Sequence, residues 1–235
     1  HNAINPGAGY LGGGYCGGLA LPSSNVSERD VVFGGENRLR EQIASTMEIM
    51  DGELYIVLTG CMVEMIGDDL DAVVSEFADC DKPVIAVHTP SFRGNSFTGY
   101  ELVLCSLIQK YITRQTNKDP SLVNVLGIVP AQDVFWKGNL REIKRLLERL
   151  GLKVNTFFGE GETLEDIKSS GKASLNIVVS DIYGIAAAEK FKDIHGIPYI
   201  TTGFPIGADA TKEFLFTVSD SLGIDRSVAD AVVES

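Results

Sequence analysis

The sequence predicts an α/β fold of two Rossmann-like units, each a parallel sheet flanked by helices. Three observations carry this. From Asp30 onward, short β-branched runs alternate with segments of helical period, the pattern of βα units. The runs are apolar almost without interruption, as strands covered on both faces must be. The polar stretch 114–120 (RQTNKDP) ends in proline and separates two sets of similar layering. The chain therefore reads as a glycine-rich N-terminal segment (1–29), a first α/β domain (30–116) and a second (117–235).

Taken in order, the first unit offers strands at 54–58 and 84–88. Between them a helix starts near Met62, with an apolar stripe of Ile66, Leu70, Val73, Val74 and Phe77 at three- and four-residue spacing. A second helix, about 98–113, buries Leu104, Leu107, Ile108 and Ile112. The second unit has strands at 123–128, 154–157 and 175–179, and a shorter one at 197–200. Its clearest helix has the stripe Leu140, Ile143, Leu146, Leu147 and Leu150, charged residues on the other faces, and a glycine stop at Gly151.

Composition narrows the function. The 235 residues are 44% hydrophobic, which excludes wholesale disorder. A net charge of −12, from 32 acidic against 20 basic residues, argues against a nucleic-acid coat or an anionic membrane surface. No run approaches the ~18 apolar residues of a membrane span. The chain starts at His1-Asn2 without methionine, and seven of its first 18 residues are glycine, which reads as the inside of a longer protein. Cysteines at 16, 61, 80 and 105 form no CxxC pair, so neither a zinc site nor a disulfide framework is expected. A reducing cytoplasm is the expected location.

Ligands of parallel sheets gather beyond the carboxyl ends of the strands, and three loops have that position. In Thr59-Gly60-Cys61 the cysteine stands at a helix N-terminus, where free N–H groups favour the thiolate that binds iron or attacks an electrophile. The alternative is a small apolar side chain packed under the turn. The loop His88-Thr89-Pro90-Ser91-Phe92-Arg93-Gly94-Asn95-Ser96 is rich in donors and offers Arg93 to an anion; otherwise it only caps the next helix through Ser96 or Thr98. Thr201-Thr202-Gly203-Phe204-Pro205-Ile206-Gly207 is a shaped turn. The glycines of 6–18 match no phosphate-binding pattern. Cys105 reads as core, Cys80 as a filler, and His195 as a helix-terminal cation or cap. Trp136 falls in the loop before a helix, and Asp68 and Asp69 in the first turns of theirs.

Five strings carry a resemblance. VFGGE (32–36), TGCMVEMIGDDL (59–70), HTPSFRGNSFTGY (88–100), GNLREIKRLL (138–147) and GFPIGADATKEFL (203–215) resemble the nitrogenase component 1 family in order and approximate spacing. The Thr-Pro-Ser-Phe string resembles the β-type subunit of the molybdenum–iron protein. The resemblance implies a P-cluster type of iron–sulfur cluster, with Cys61 as a thiolate ligand and Ser91 beside the cluster as an oxygen ligand on oxidation. Thiolates select such clusters and a hydroxyl adds a hard donor, so the chemistry agrees. The family draws further cysteines from upstream, and Cys16 is the candidate here. Family subunits are longer and have a third α/β domain, absent from this sequence. The implied partners are an α-type component 1 subunit, which holds the active site, and an ATP-dependent iron–sulfur reductase (Fe protein). Two other functions stay open: an iron–sulfur cofactor assembly scaffold of the same superfamily, and a metal-free α/β binding domain. No catalytic residue is expected in this chain.

Overall fold

The computed structural model describes residues 22–130, 132–157, 159 and 161–234. The chain forms two compact units, 1–106 and 107–235. In both, parallel strands alternate with helices, as the sequence predicts.

The first unit opens with two helices, α1 (Glu28–Phe33) and α2 (Glu36–Ile49), ahead of β1 (Tyr55–Leu58). Two short helices follow, α3 (Cys61–Ile66) and α4 (Leu70–Ser75), then β2 (Val84–Val87). A 3₁₀ turn at Ser91–Arg93 leads into α5 (Ser96–Lys110). Strands β1 and β2 pair in parallel from Tyr55↔Val84 to Leu58↔Val87. Ile43, Leu70, Val73, Val74 and Ala86 form the buried core.

The single helix expected from the stripe after Met62 is two helices. Gly67 takes a left-handed conformation at φ +82°, which stops α3. Asp69 then caps α4, its side chain accepting the Ala72 N–H at 2.9 Å. Asp68 lies in no helical turn. Its two carboxylate oxygens each accept the Gly35 N–H at 3.0 Å, and Glu36 accepts the Asp69 N–H in return at 3.3 Å. A Cβ at Gly35 would stand 2.8 Å from Asp68 Oδ2, so any larger residue would push the Asp68 carboxylate aside. The strings VFGGE and IGDD are thus two halves of one clasp.

The second unit contains β3 (Asp119–Leu126), α6 (Trp136–Arg149), β4 (Lys153–Asn155), α7 (Leu164–Ser169) and β5 (Ala173–Val178). It continues with α8 (Ile185–His195), β6 (Tyr199–Thr201), α9 (Ala208–Leu222) and α10 (Arg226–Val233). The strands lie in the order β4-β3-β5-β6, all parallel. The core includes Val123, Ile143, Leu147, Leu175, Ile177, Phe214, Leu215 and Val218. Helix α6 buries Leu140, Ile143, Leu146 and Leu147 as its stripe requires. The loops after β3 and β5 meet backbone to backbone: a Cβ at Gly184 would stand 2.7 Å from the Gly127 nitrogen.

A ladder of buried asparagines fixes the register of this sheet. Asn155 donates to Asn124 Oδ1 at 3.2 Å, and Asn124 donates to Asn176 Oδ1 at 2.8 Å and to the Ser170 carbonyl at 3.1 Å. These three residues are direct partners across β4, β3 and β5.

Two expectations change here. His195 ends α8 but is neither cation nor cap: it is 3% exposed, with Nε2 2.9 Å from the Ile108 carbonyl oxygen. Burial lowers its pKa, so the ring is neutral and Nε2 donates. The cation at this helix end is Lys118, whose ammonium donates to the carbonyls of His195 (2.9 Å) and Gly171 (2.7 Å). Trp136 lies within α6 as its first residue, with the Lys137 ammonium 5.5 Å from its ring centre.

Candidate functional site

The carboxyl ends of β1 and β2 share one edge because the strands are parallel, so the loops 59–61 and 88–91 leave side by side. Thr59 joins them. Its backbone N–H continues the sheet to the Val87 carbonyl at 3.3 Å, and its hydroxyl accepts the Thr89 N–H at 2.8 Å. The Thr89 hydroxyl donates to the Thr59 carbonyl at 3.0 Å.

This pairing brings Cys61 and Ser91 together. Cys61 Sγ is 2.7 Å from Ser91 Oγ, and the Ser91 backbone N–H donates to the same sulfur at 3.2 Å. Both donors favour the thiolate. The Cys61 pKa is lowered first by the Ser91 hydroxyl, then by the Ser91 amide, against a smaller opposing effect of burial. The sequence argument placed the stabilising N–H groups at the start of the helix that follows. The structure supplies them mainly from the facing loop, because α3 has only six residues. Cys61 is half-exposed, Ser91 is exposed, and the sulfur is in no disulfide.

Two functional side chains were missed by sequence reading. Glu64, one turn after Cys61 on α3, accepts the Thr59 hydroxyl at 2.6 Å and lies 2.7 Å from His88 Nδ1. His88 Nε2 is 3.0 Å from Asp71 Oδ2 at the start of α4. The available signal was spacing: Glu64 is three residues after Cys61, and His88 three before Ser91. Arg93 ends the 3₁₀ turn, and its charge contributes to the lowered pKa of Glu64. The next helix is capped by Asn95, whose Oδ1 accepts the Thr98 N–H at 3.3 Å.

Large apolar side chains are exposed on the elements that carry the two loops. Leu58 and Phe92, which flank the two loops, are exposed, as are Met62 and Met65 on one face of α3. Helix α1 packs on α3 and exposes Val32 and Phe33, the latter at 81%. Four of these side chains, Val32, Phe33, Met62 and Met65, belong to the paired helices α1 and α3.

Of the other sequence candidates, Cys16 lies outside the described residues, as does the glycine-rich stretch 6–18. Cys80 is exposed and Cys105 half-buried. The 201–207 loop is a turn into α9, with Gly207 at φ +82°. Among the described residues no group of three or more His, Cys, Asp or Glu side chains could hold a metal ion. Cys61 and Ser91 nevertheless fit an iron–sulfur cluster from one side, since a soft sulfur and a hard oxygen stand adjacent at an exposed edge.

The profile of the nitrogenase component 1 type oxidoreductases matches residues 16–234. The chain is 29% identical to the nitrogenase molybdenum-iron protein beta chain of Bradyrhizobium diazoefficiens, over 84% of this chain and 43% of that one. It is 30% identical to the nitrogenase iron-molybdenum cofactor biosynthesis protein NifE of Clostridium pasteurianum, over 89% of this chain and 45% of that one. A solved structure of nitrogenase Cp1 at pH 5 superposes with a TM-score of 0.73 at 27% identity, over 90% of this chain and 43% of the other. The chain therefore spans less than half the length of these relatives. A match over nearly the whole sequence, with the fold to go with it, shows that the chain belongs to the nitrogenase component 1 type oxidoreductase family.

Proposed function

We propose that this chain is a β-type subunit, or part of one, of a nitrogenase-like reductase, supplying one side of a P-cluster type iron–sulfur site. The observation that carries the reading is the Cys61–Ser91 pair: a thiol and a hydroxyl 2.7 Å apart where the two loops meet. Cys61 would hold iron as thiolate, and Ser91 would offer an oxygen beside it. Cys16 is a further candidate from the sequence. A cluster held there would supply storage and release of single electrons, between an ATP-dependent iron–sulfur reductase and an active site on an α-type subunit.

The chain's own residues prepare this. Ser91 favours the thiolate, to which its amide donates and its hydroxyl can donate. The Thr59–Thr89 pair holds the two loops together. The exposed Leu58, Met62, Met65 and Phe92 near these loops in sequence offer apolar surface that an α-type subunit would cover, excluding water from the sulfur. Two donors are too few for a cluster, so further ligands, Cys16 among the candidates, and the partner subunit would complete it.

A cofactor assembly scaffold is the second reading, favoured by the 30% identity to the NifE protein. In that case the same face would hold a cluster in transit.

Iron and acid-labile sulfide should be measured in anaerobically purified protein, alone and co-purified with an α-type chain. The expected result is little metal in the isolated chain and stoichiometric iron and sulfide in the complex. Absence of metal from the assembled complex would sink both readings.

A further inference from the structure

We infer that His88, held between the carboxylates of Glu64 and Asp71, is a positioning residue that braces the two loops carrying Cys61 and Ser91. The contacts form three rungs between those loops. Thr59 and Thr89 make the innermost, through two hydrogen bonds. Glu64 and His88 make the second at 2.7 Å, and Cys61 and Ser91 the outermost. The Thr59 hydroxyl ties the first two together, because it donates to Glu64 while accepting from Thr89. Glu64 shares α3 with Cys61, and His88 shares a loop with Ser91. The second rung therefore acts on the chemical one through a single helical turn and three residues of backbone.

The brace needs a proton. Glu64 and Asp71 each lie within hydrogen-bonding distance of one ring nitrogen, at 2.7 and 3.0 Å. A neutral imidazole has one N–H and serves one carboxylate; imidazolium serves both. The charged groups facing the ring are Glu64 on α3 and Asp71 on α4, and the Arg93 charge acts on Glu64. The hydrogen bond to Asp71, then that to Glu64, raises the His88 pKa above its ordinary 6.5, against the effect of burial. Glu64 is held ionised, chiefly by the Thr59 hydroxyl. The sign follows: the brace is complete below the raised pKa, and one of its two bonds is lost as pH rises through it.

The meaning of the brace for cluster binding rests on the proposed function, but its existence can be tested on the chain alone. Amide hydrogen exchange of the full chain reads the Thr89 N–H, whose acceptor is the Thr59 hydroxyl. Its protection, corrected for intrinsic exchange, should fall by about tenfold from about pH 6 to about pH 9, as expected when a charge-assisted bond is lost. His88→Leu should give low protection with no pH step. If that variant does not fold, nitrogen NMR of the wild-type ring decides: both nitrogens should carry protons at about pH 6. Protection without a pH step in the wild-type chain, or a ring with a single N–H at that pH, would overturn the inference. Iron uptake takes no part in these readouts. A chain that shows the step yet binds no iron with its partner would refute the proposed function and leave the brace standing.

Discussion

Replacing Cys61 with alanine is expected to lower the iron held by the chain and its partner by about tenfold or more, at least the loss seen for supporting residues of metal sites. The fold should survive the change. Cys61 is the half-exposed first residue of α3, and alanine is favourable in a helix. What disappears is the sulfur and its two contacts with Ser91. Circular dichroism and co-purification of the partner should match wild type while iron content drops. Ser91→Ala should have a smaller effect, because it keeps the thiol and removes a donor that lowers its pKa. Unchanged iron in the Cys61→Ala complex would remove this residue from the ligands.

The second large effect is on stability. Asn124→Leu should destabilise the second unit by about 2–4 kcal/mol, since it strands the Asn155 amide and the Asn176 amide oxygen in a buried sheet and leaves the Ser170 carbonyl with only the Ala173 N–H. Asn124 is fully buried, so water cannot replace the lost partners. Asn155 lies on the edge strand β4 and makes one of these bonds. Asn155→Leu should therefore cost less, about 1–2 kcal/mol. The only tryptophan, Trp136, belongs to this unit, and its fluorescence during urea unfolding reads both variants. A midpoint for Asn124→Leu equal to wild type would show that the ladder contributes nothing to stability.

The sequence made the strands legible because they are apolar runs between turn residues, and that pattern survives packing. Observed β3 starts at Asp119, earlier than its apolar run, because Asp119 pairs with Ala173 at the start of β5. Such a start depends on a partner far along the chain. The break at Gly67 was visible as a glycine followed by two aspartates, but the apolar stripe continues through it in phase. Period alone therefore reads one helix where there are two. His195 misled for another reason: a helix-terminal position suggests a cation, and only the burial created by Ile108 and Phe191 makes the ring neutral.

The site was legible as two loops, since both follow strands and both contain unusual residues. That they meet follows from β1 and β2 being adjacent, which no local signal states. Glu64 and His88 read as ordinary polar residues of a helix and a loop. Their roles come from each other, across 24 positions of sequence.

The central claim is that Cys61 binds iron at a face covered by a partner, and alkylation followed by mass spectrometry tests it most directly. In the iron-loaded complex Cys61 should resist iodoacetamide, and in the isolated, iron-free chain it should be labelled readily. Labelling of Cys61 in the loaded complex at the rate of the isolated chain would contradict the account.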